Sequence, residues 1–196
     1  MTLYKRREKF SWLSESIGRI FGSVGLSANN YTAIALILVL VSAYSLFAGN
    51  FLCAALFFGM AAFFDIVDGS VARYRKEASK RGAYFDSVSD RYMEGIFAIS
   101  LILISLPAFY LPSYFWAALY LFGSMMTTYA RAVAAEKSIS KNLRGGLLER
   151  SDRLILMFIG IVLAYFSAVY MTYMLVILAV LSNISALQRM LIALRS

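Results

Sequence analysis

The segment FFDIVDGSVARYRKEASKRGAYFDSVSDRY, residues 63 to 92, places Asp65 and Asp68 at the end of one apolar run and Asp86 and Asp90 at the start of another. Spacings of three and four residues put each pair on a single face of a helix. If the two helices are antiparallel neighbours joined by the short basic stretch 74–82, the faces meet and the four carboxylates converge. Negative charge so concentrated at a membrane boundary is costly, through mutual repulsion and through desolvation, so something cationic must sit among the acids. The candidates are arginine and lysine side chains or a divalent metal. Oxygen ligands in a chain without histidine favour Mg2+ or Mn2+, with Ca2+ a further candidate. Four carboxylates suffice for two such ions, and two metals about 4 Å apart suit displacement at phosphorus. The competing account pairs the acids with Arg73, Arg75, Lys76, Lys80, Arg81 and Arg91 as a salt-bridge cluster. Gly69, Ala72 and Gly82 weigh against it, because they leave room for a ligand beside the backbone where packing alone favours larger side chains.

The elements that must position these acids follow from composition. Of 196 residues, 61% are hydrophobic and only 15% are charged, too apolar a balance for an ordinary soluble domain. Uncharged runs cover residues 20–64, 95–130 and 154–188. A helix needs roughly 20 apolar residues to cross a bilayer. Six spans fit, at about 30–49, 51–73, 84–106, 111–136, 151–169 and 171–192. Basic residues gather at the N-terminus, at 73–81, at 131–153 and at the C-terminal end, while the alternate connections near Gly49, Pro107 to Ser113 and Ser167 carry no charge. Cytoplasmic loops hold the excess of Lys and Arg, so both termini are expected in the cytoplasm. Ahead of the first span, Phe10, Leu13, Ile17, Ile20, Phe21 and Val24 recur at helical spacing. That pattern predicts an amphipathic helix over about 8–25 lying in the membrane interface. The expected fold class is an all-α integral membrane protein, one domain over 1–196, with this interfacial helix and six transmembrane helices. The interfacial stretch is too short and too charged for a signal-peptide core.

Several function classes drop out. The net charge of +8 borders membrane spans instead of forming a separate basic domain, which argues for lipid headgroups and phosphorylated substrates and against nucleic acid. One cysteine, Cys53, and no histidine leave out an internal disulfide, a zinc site and a histidine-based triad. A small transporter is the competing class. Transporters place their sites near the bilayer midplane, often with inverted repeats, whereas these acids fall at a span's cytoplasmic end and no repeat is visible.

Written as a pattern, D-x2-D-G-x2-A-R-x8-G-x3-D-x3-D runs from Asp65 through Asp68, Gly69, Ala72, Arg73, Gly82 and Asp86 to Asp90. It resembles the signature of the CDP-alcohol phosphotransferase family, also called CDP-alcohol phosphatidyltransferases, with every fixed position present. The resemblance implies transfer of a substituted phosphoryl group from a CDP-linked alcohol, usually a lipid, to a second alcohol, with release of CMP. It implies that Asp65, Asp68 and Asp86 bind a pair of divalent cations, and that Asp90 contacts a metal and is the general base toward the acceptor hydroxyl. Gly69, Ala72, Arg73 and Gly82, with Asp65 and Asp68, would shape the CDP site. Asn29 and Thr32 match a looser family feature before the first span, where Ala28 stands in place of a common proline.

A second basic region narrows the resemblance. The stretches ARA at 130–132, GGLLERSDRL at 145–154 and LQR at 187–189 resemble the branch that makes phosphatidyl- or archaetidylinositol phosphate from inositol phosphate. In that branch a basic pocket receives the acceptor's own phosphate. The resemblance assigns Arg131, Arg153 and Arg189 to it, with Lys137 and Arg150 as secondary candidates; a guanidinium matches phosphate through planar, bidentate donors. Other acceptors or donors stay open, among them glycerol phosphate, serine and a soluble CDP-polyol. The family further implies a homodimer and a multi-pass protein of the cell membrane whose active site faces the cytoplasm.

Overall fold

Long runs of apolar side chains with only two prolines leave helix as the backbone's way of satisfying its own N–H and C=O groups. The computed structural model describes residues 11–139 and 146–195, and among these residues there are seven helices. They are α1 (Ser11–Gly22), α2 (Ala28–Phe47), α3 (Phe51–Tyr74), α4 (Lys80–Leu103), α5 (Ser113–Glu136), α6 (Arg150–Ala164) and α7 (Ala168–Arg195). The only extended pairing among the described residues is an isolated bridge between Phe109 and Leu111.

By length and composition α2, α3 and α7 are each long and apolar enough to cross a membrane. The six stretches expected to span correspond to α2 through α7, with the largest displacement at the fifth. There, helix was expected to reach residue 169, but α6 stops at Ala164. Its 15 residues rise about 22 Å, short of the roughly 30 Å hydrocarbon core. The stop is made by tightened bonds, Tyr165 N–H to Val162 O and Phe166 N–H to Leu163 O. No glycine or proline marks that break.

The chain divides within α4 into two compact units, residues 1–97 and 98–196. In the first, α1 packs on α3 and α2 packs along α3. Tyr31, Val67 and Val71 form a buried cluster, with Ile17, Phe21, Leu26, Ile34 and Phe64 against it. Close approach of α1 requires glycine. A Cβ on Gly18 would lie 2.7 Å from both Ser70 O and Tyr74 Cβ, closer than real Cβ contacts come. The end of α1 is tied by the Tyr31 hydroxyl donating to Phe21 O at 2.8 Å and by Arg75 Nε donating to Gly22 O at 3.1 Å. A cation there satisfies a carbonyl with no partner in its own helix and complements the helix dipole. Of the expected apolar stripe, Ile17 and Phe21 turn inward, whereas Leu13, Ile20 and Val24 are exposed together with Trp12. Phe10, the first residue of that stripe, lies outside the described residues.

In the second unit α7 packs against both α5 and α6. Asn183 Nδ2 donates to Leu119 O at 2.9 Å and to Ala179 O at 2.8 Å, and Gly123 makes room for this amide. The chain entering α6 is pinned to α7: Leu147 N–H donates to Gln188 Oε1 and Leu148 N–H to Ser185 Oγ, both at 2.9 Å.

Candidate metal centre and donor cavity

Asp65 and Asp68 lie on the last turns of α3, and Asp86 on the second turn of α4. Their carboxylate oxygens come within 4.8 Å of one another. A divalent cation bound to oxygen at about 2.0–2.6 Å needs donors spaced on this scale, so the three acids fit such an ion. Asp90, one turn further along α4, is not among the three acids that approach one another within 4.8 Å. It shares the helix face of Asp86. It is buried, and its Oδ2 lies 3.5 Å from Arg91 Nη2. The convergence expected of four carboxylates is therefore seen for three.

Asp68 is buried and accepts a 2.6 Å hydrogen bond from Thr32 Oγ1. That bond comes from the first turns of α2 and orients the carboxylate from outside the cluster, as hydrogen bonds to metal-ligating carboxylates do.

Beside the acids lies a cavity of about 270 Å³. Asn29, Thr32, Asp68, Gly69, Ala72, Arg73, Gly82 and Asp86 all line it. Asp65, although in the acid cluster, is not among the lining residues. Two helices begin at this cavity. Ser27 precedes α2 and its Oγ accepts from Asn30 N–H at 3.4 Å, while Ser79 precedes α4 and its Oγ accepts from Gly82 N–H at 3.0 Å. Helix N-termini present N–H groups and partial positive charge, a setting that favours an anionic diphosphate. Gly69 and Gly82 keep the walls thin. A Cβ on Gly69 would meet Arg73 Nη1 at 3.3 Å, and one on Gly82 would meet Ser79 Oγ at 3.2 Å and Asn29 Oδ1 at 3.7 Å.

Arg73 is held from α1, where its Nη2 donates to Ser14 Oγ at 2.9 Å. Neither Ser14 nor Ser79 stood out among the sequence candidates. A serine three residues before Gly82, just ahead of a helix, is a cap signal that could have found the second; nothing local points to the first.

The acceptor candidates separate into two groups. Arg153 is buried, one of the largest fully buried side chains of the chain, and its Nη1 donates to Thr127 Oγ1 at 3.2 Å. Arg189 is also buried, and its Nη1 donates to Thr127 O at 2.8 Å. Two guanidinium groups from α6 and α7 thus meet one residue of α5. Arg131 lies one turn beyond Thr127 on α5 and is exposed. Lys137 is exposed and 3.5 Å from Glu136, and Arg150 is half-buried at the start of α6.

Comparison with known proteins bears on this arrangement. Archaetidylinositol phosphate synthase of Pyrococcus horikoshii is 32% identical over 189 residues, covering 95% of this chain and 94% of that protein. A structure of Mycobacterium tuberculosis phosphatidylinositol phosphate synthase with CDP-DAG bound superposes with a TM-score of 0.80 at 26% identity, covering 93% of this chain and 94% of the other. The same enzyme in complex with manganese and citrate gives a TM-score of 0.80 at 25% identity, covering 92% and 88%. The sequence model of CDP-alcohol phosphatidyltransferases matches residues 26–190, a stretch that contains the acid cluster, the cavity and both buried arginines. On that match, and on a relative similar from end to end, this chain belongs to the CDP-alcohol phosphatidyltransferase family and is a transferase of phospholipid biosynthesis.

Proposed function

We propose that the protein transfers the substituted phosphoryl group of a CDP-linked lipid, CDP-diacylglycerol or CDP-archaeol, to a hydroxyl of inositol phosphate. The observation that carries this reading is a cluster of three carboxylates opening on a cavity framed by two helix N-termini. In the reaction a bond forms between the acceptor oxygen and the lipid-bearing phosphorus, the bond from that phosphorus to CMP breaks, and the acceptor's proton passes to Asp90. No covalent enzyme intermediate is needed. Asp65, Asp68, Asp86 and Asp90 hold two divalent cations, Mg2+ or Mn2+. When bound, these cations neutralise charge on the phosphoryl oxygens and on the leaving CMP. Asn29, Thr32, Gly69, Ala72, Arg73 and Gly82 cradle the cytidine diphosphate, with Asp65 and Asp68 at its metal-facing side. Arg131, Arg153 and Arg189 receive the acceptor's phosphate, assisted by Lys137 and Arg150. The named functions of the full-length relatives support the choice of inositol phosphate.

The same reading makes the protein a six-span homodimer of the cell membrane, with both termini and the active site on the cytoplasmic side. The test is CMP release by purified protein given CDP-diacylglycerol or CDP-archaeol and Mn2+, with inositol phosphate, glycerol phosphate, serine or no acceptor. Release that rises only with inositol phosphate is the expected result. Equal release with inositol phosphate and with buffer would overturn the assignment of acceptor.

A further inference from the structure

We propose that Thr127 is the positioning residue of the acceptor side of the reaction, setting the Arg153 guanidinium through its side-chain oxygen. The proposal rests on the reading of Arg153 and Arg189 as ligands of the acceptor's phosphate. Thr127 itself is fully buried in α5 and makes three polar contacts. Its Oγ1 donates to Ser124 O at 2.7 Å, one turn back on the same helix. That bond commits the only hydroxyl proton, so the oxygen faces Arg153 Nη1, 3.2 Å away, as an acceptor. Its main-chain carbonyl accepts from Arg189 Nη1 at 2.8 Å.

The division of labour between side chain and backbone gives the proposal its test. A guanidinium is a planar fork, and its affinity for phosphate depends on the plane being set before the ligand arrives. Holding one N–H of Arg153 contributes to setting that plane. Removing the Thr127 hydroxyl takes one acceptor from Arg153 but leaves the bond of Arg189 to a backbone atom that no side-chain substitution removes. Thr127→Val keeps the shape of the side chain and deletes the acceptor; Thr127→Ser keeps the acceptor and deletes a methyl group.

The experiment uses the full chain with CDP-diacylglycerol or CDP-archaeol, Mn2+ and titrated inositol phosphate, following CMP release. For Thr127→Val the KM for inositol phosphate should rise about tenfold, roughly one hydrogen bond to a charged group, with kcat and the donor KM within about twofold. Thr127→Ser should restore the wild-type KM. Combined with Arg153→Lys, Thr127→Val should add nothing to the KM defect, because both changes remove one interaction; combined with Arg189→Lys, the two defects should multiply.

An unchanged KM in Thr127→Val, while Arg153→Lys raises it, overturns the positioning role and leaves the acceptor reading intact. An unchanged KM in Arg153→Lys overturns both. Thr127→Ala removes the same hydroxyl and is the second variant should Thr127→Val not fold. If both lose cooperative melting, Thr127 is a packing residue only and the proposal fails.

Discussion

Thr32 links the start of α2 to the acid cluster through a single short bond to Asp68. Its hydroxyl restricts the carboxylate's orientation before any cation arrives, so its value lies in metal affinity more than in stability. Thr32→Val should raise the Mn2+ concentration for half-maximal CMP release about tenfold, in the range seen when outer-shell partners are lost. An unchanged Mn2+ dependence would remove Thr32 from the site. Asp90 is the second residue whose role is separable. As general base its replacement by Asn should lower turnover by about 10²–10⁴-fold while the melting temperature holds. A purely structural pairing with Arg91 predicts the reverse, a lower melting temperature with turnover kept. Residues of this kind differ in how legible they were. The aspartates could be read because three- and four-residue spacings translate directly into a shared helix face. Thr127 is joined to the two buried arginines, and Ser14 to Arg73, across 26 to 62 positions, a separation at which no local spacing speaks.

At the scale of elements, α1 acts on the donor cavity through α3. Its glycine face lets the helix approach closely enough for Ser14 to hold Arg73. Gly18→Leu would force the two backbones apart, since the nearest obstacle is the main-chain oxygen of Ser70, which has little freedom to move. The expected cost is about 1–3 kcal/mol, read as a lower melting temperature together with a higher KM for the CDP donor. Melting unchanged and donor KM unchanged would deny α1 that role. The amphipathic pattern made this helix predictable, yet its partner was hidden. Ile17 and Phe21 share their apparent stripe with Leu13 and Ile20, and only the glycines between them mark the side that packs. The end of α6 was misplaced for a related reason: a helix can stop through tightened last-turn bonds without any breaker residue.

At the scale of the whole molecule, apolar run length and the alternation of basic and uncharged connections carried nearly all of the helical plan. Among the described residues three helices meet the demands of a membrane span by themselves, whereas α4 carries charged residues along half its length, α5 is uncharged over 113–130 but interspersed with Tyr, Trp, Ser and Thr, and α6 is short. Six crossings predict that the connections 75–79 and 104–112 lie on opposite sides of the membrane. In a Cys53→Ala background, a cysteine placed at Ala78 and another at Tyr110, both exposed, should react with an impermeant thiol reagent from opposite faces of sealed vesicles. Reaction from one face would reduce the count of crossings.

The claim on which all three scales depend is that the carboxylates of Asp65, Asp68 and Asp86 together hold the divalent cations of the transfer. Anomalous scattering from crystals grown with Mn2+ tests it directly. The account predicts peaks within coordination distance of all three side chains, and their loss in Asp86→Asn. Peaks elsewhere, or a cluster closed by arginine side chains while CMP release persists in EDTA, would contradict it.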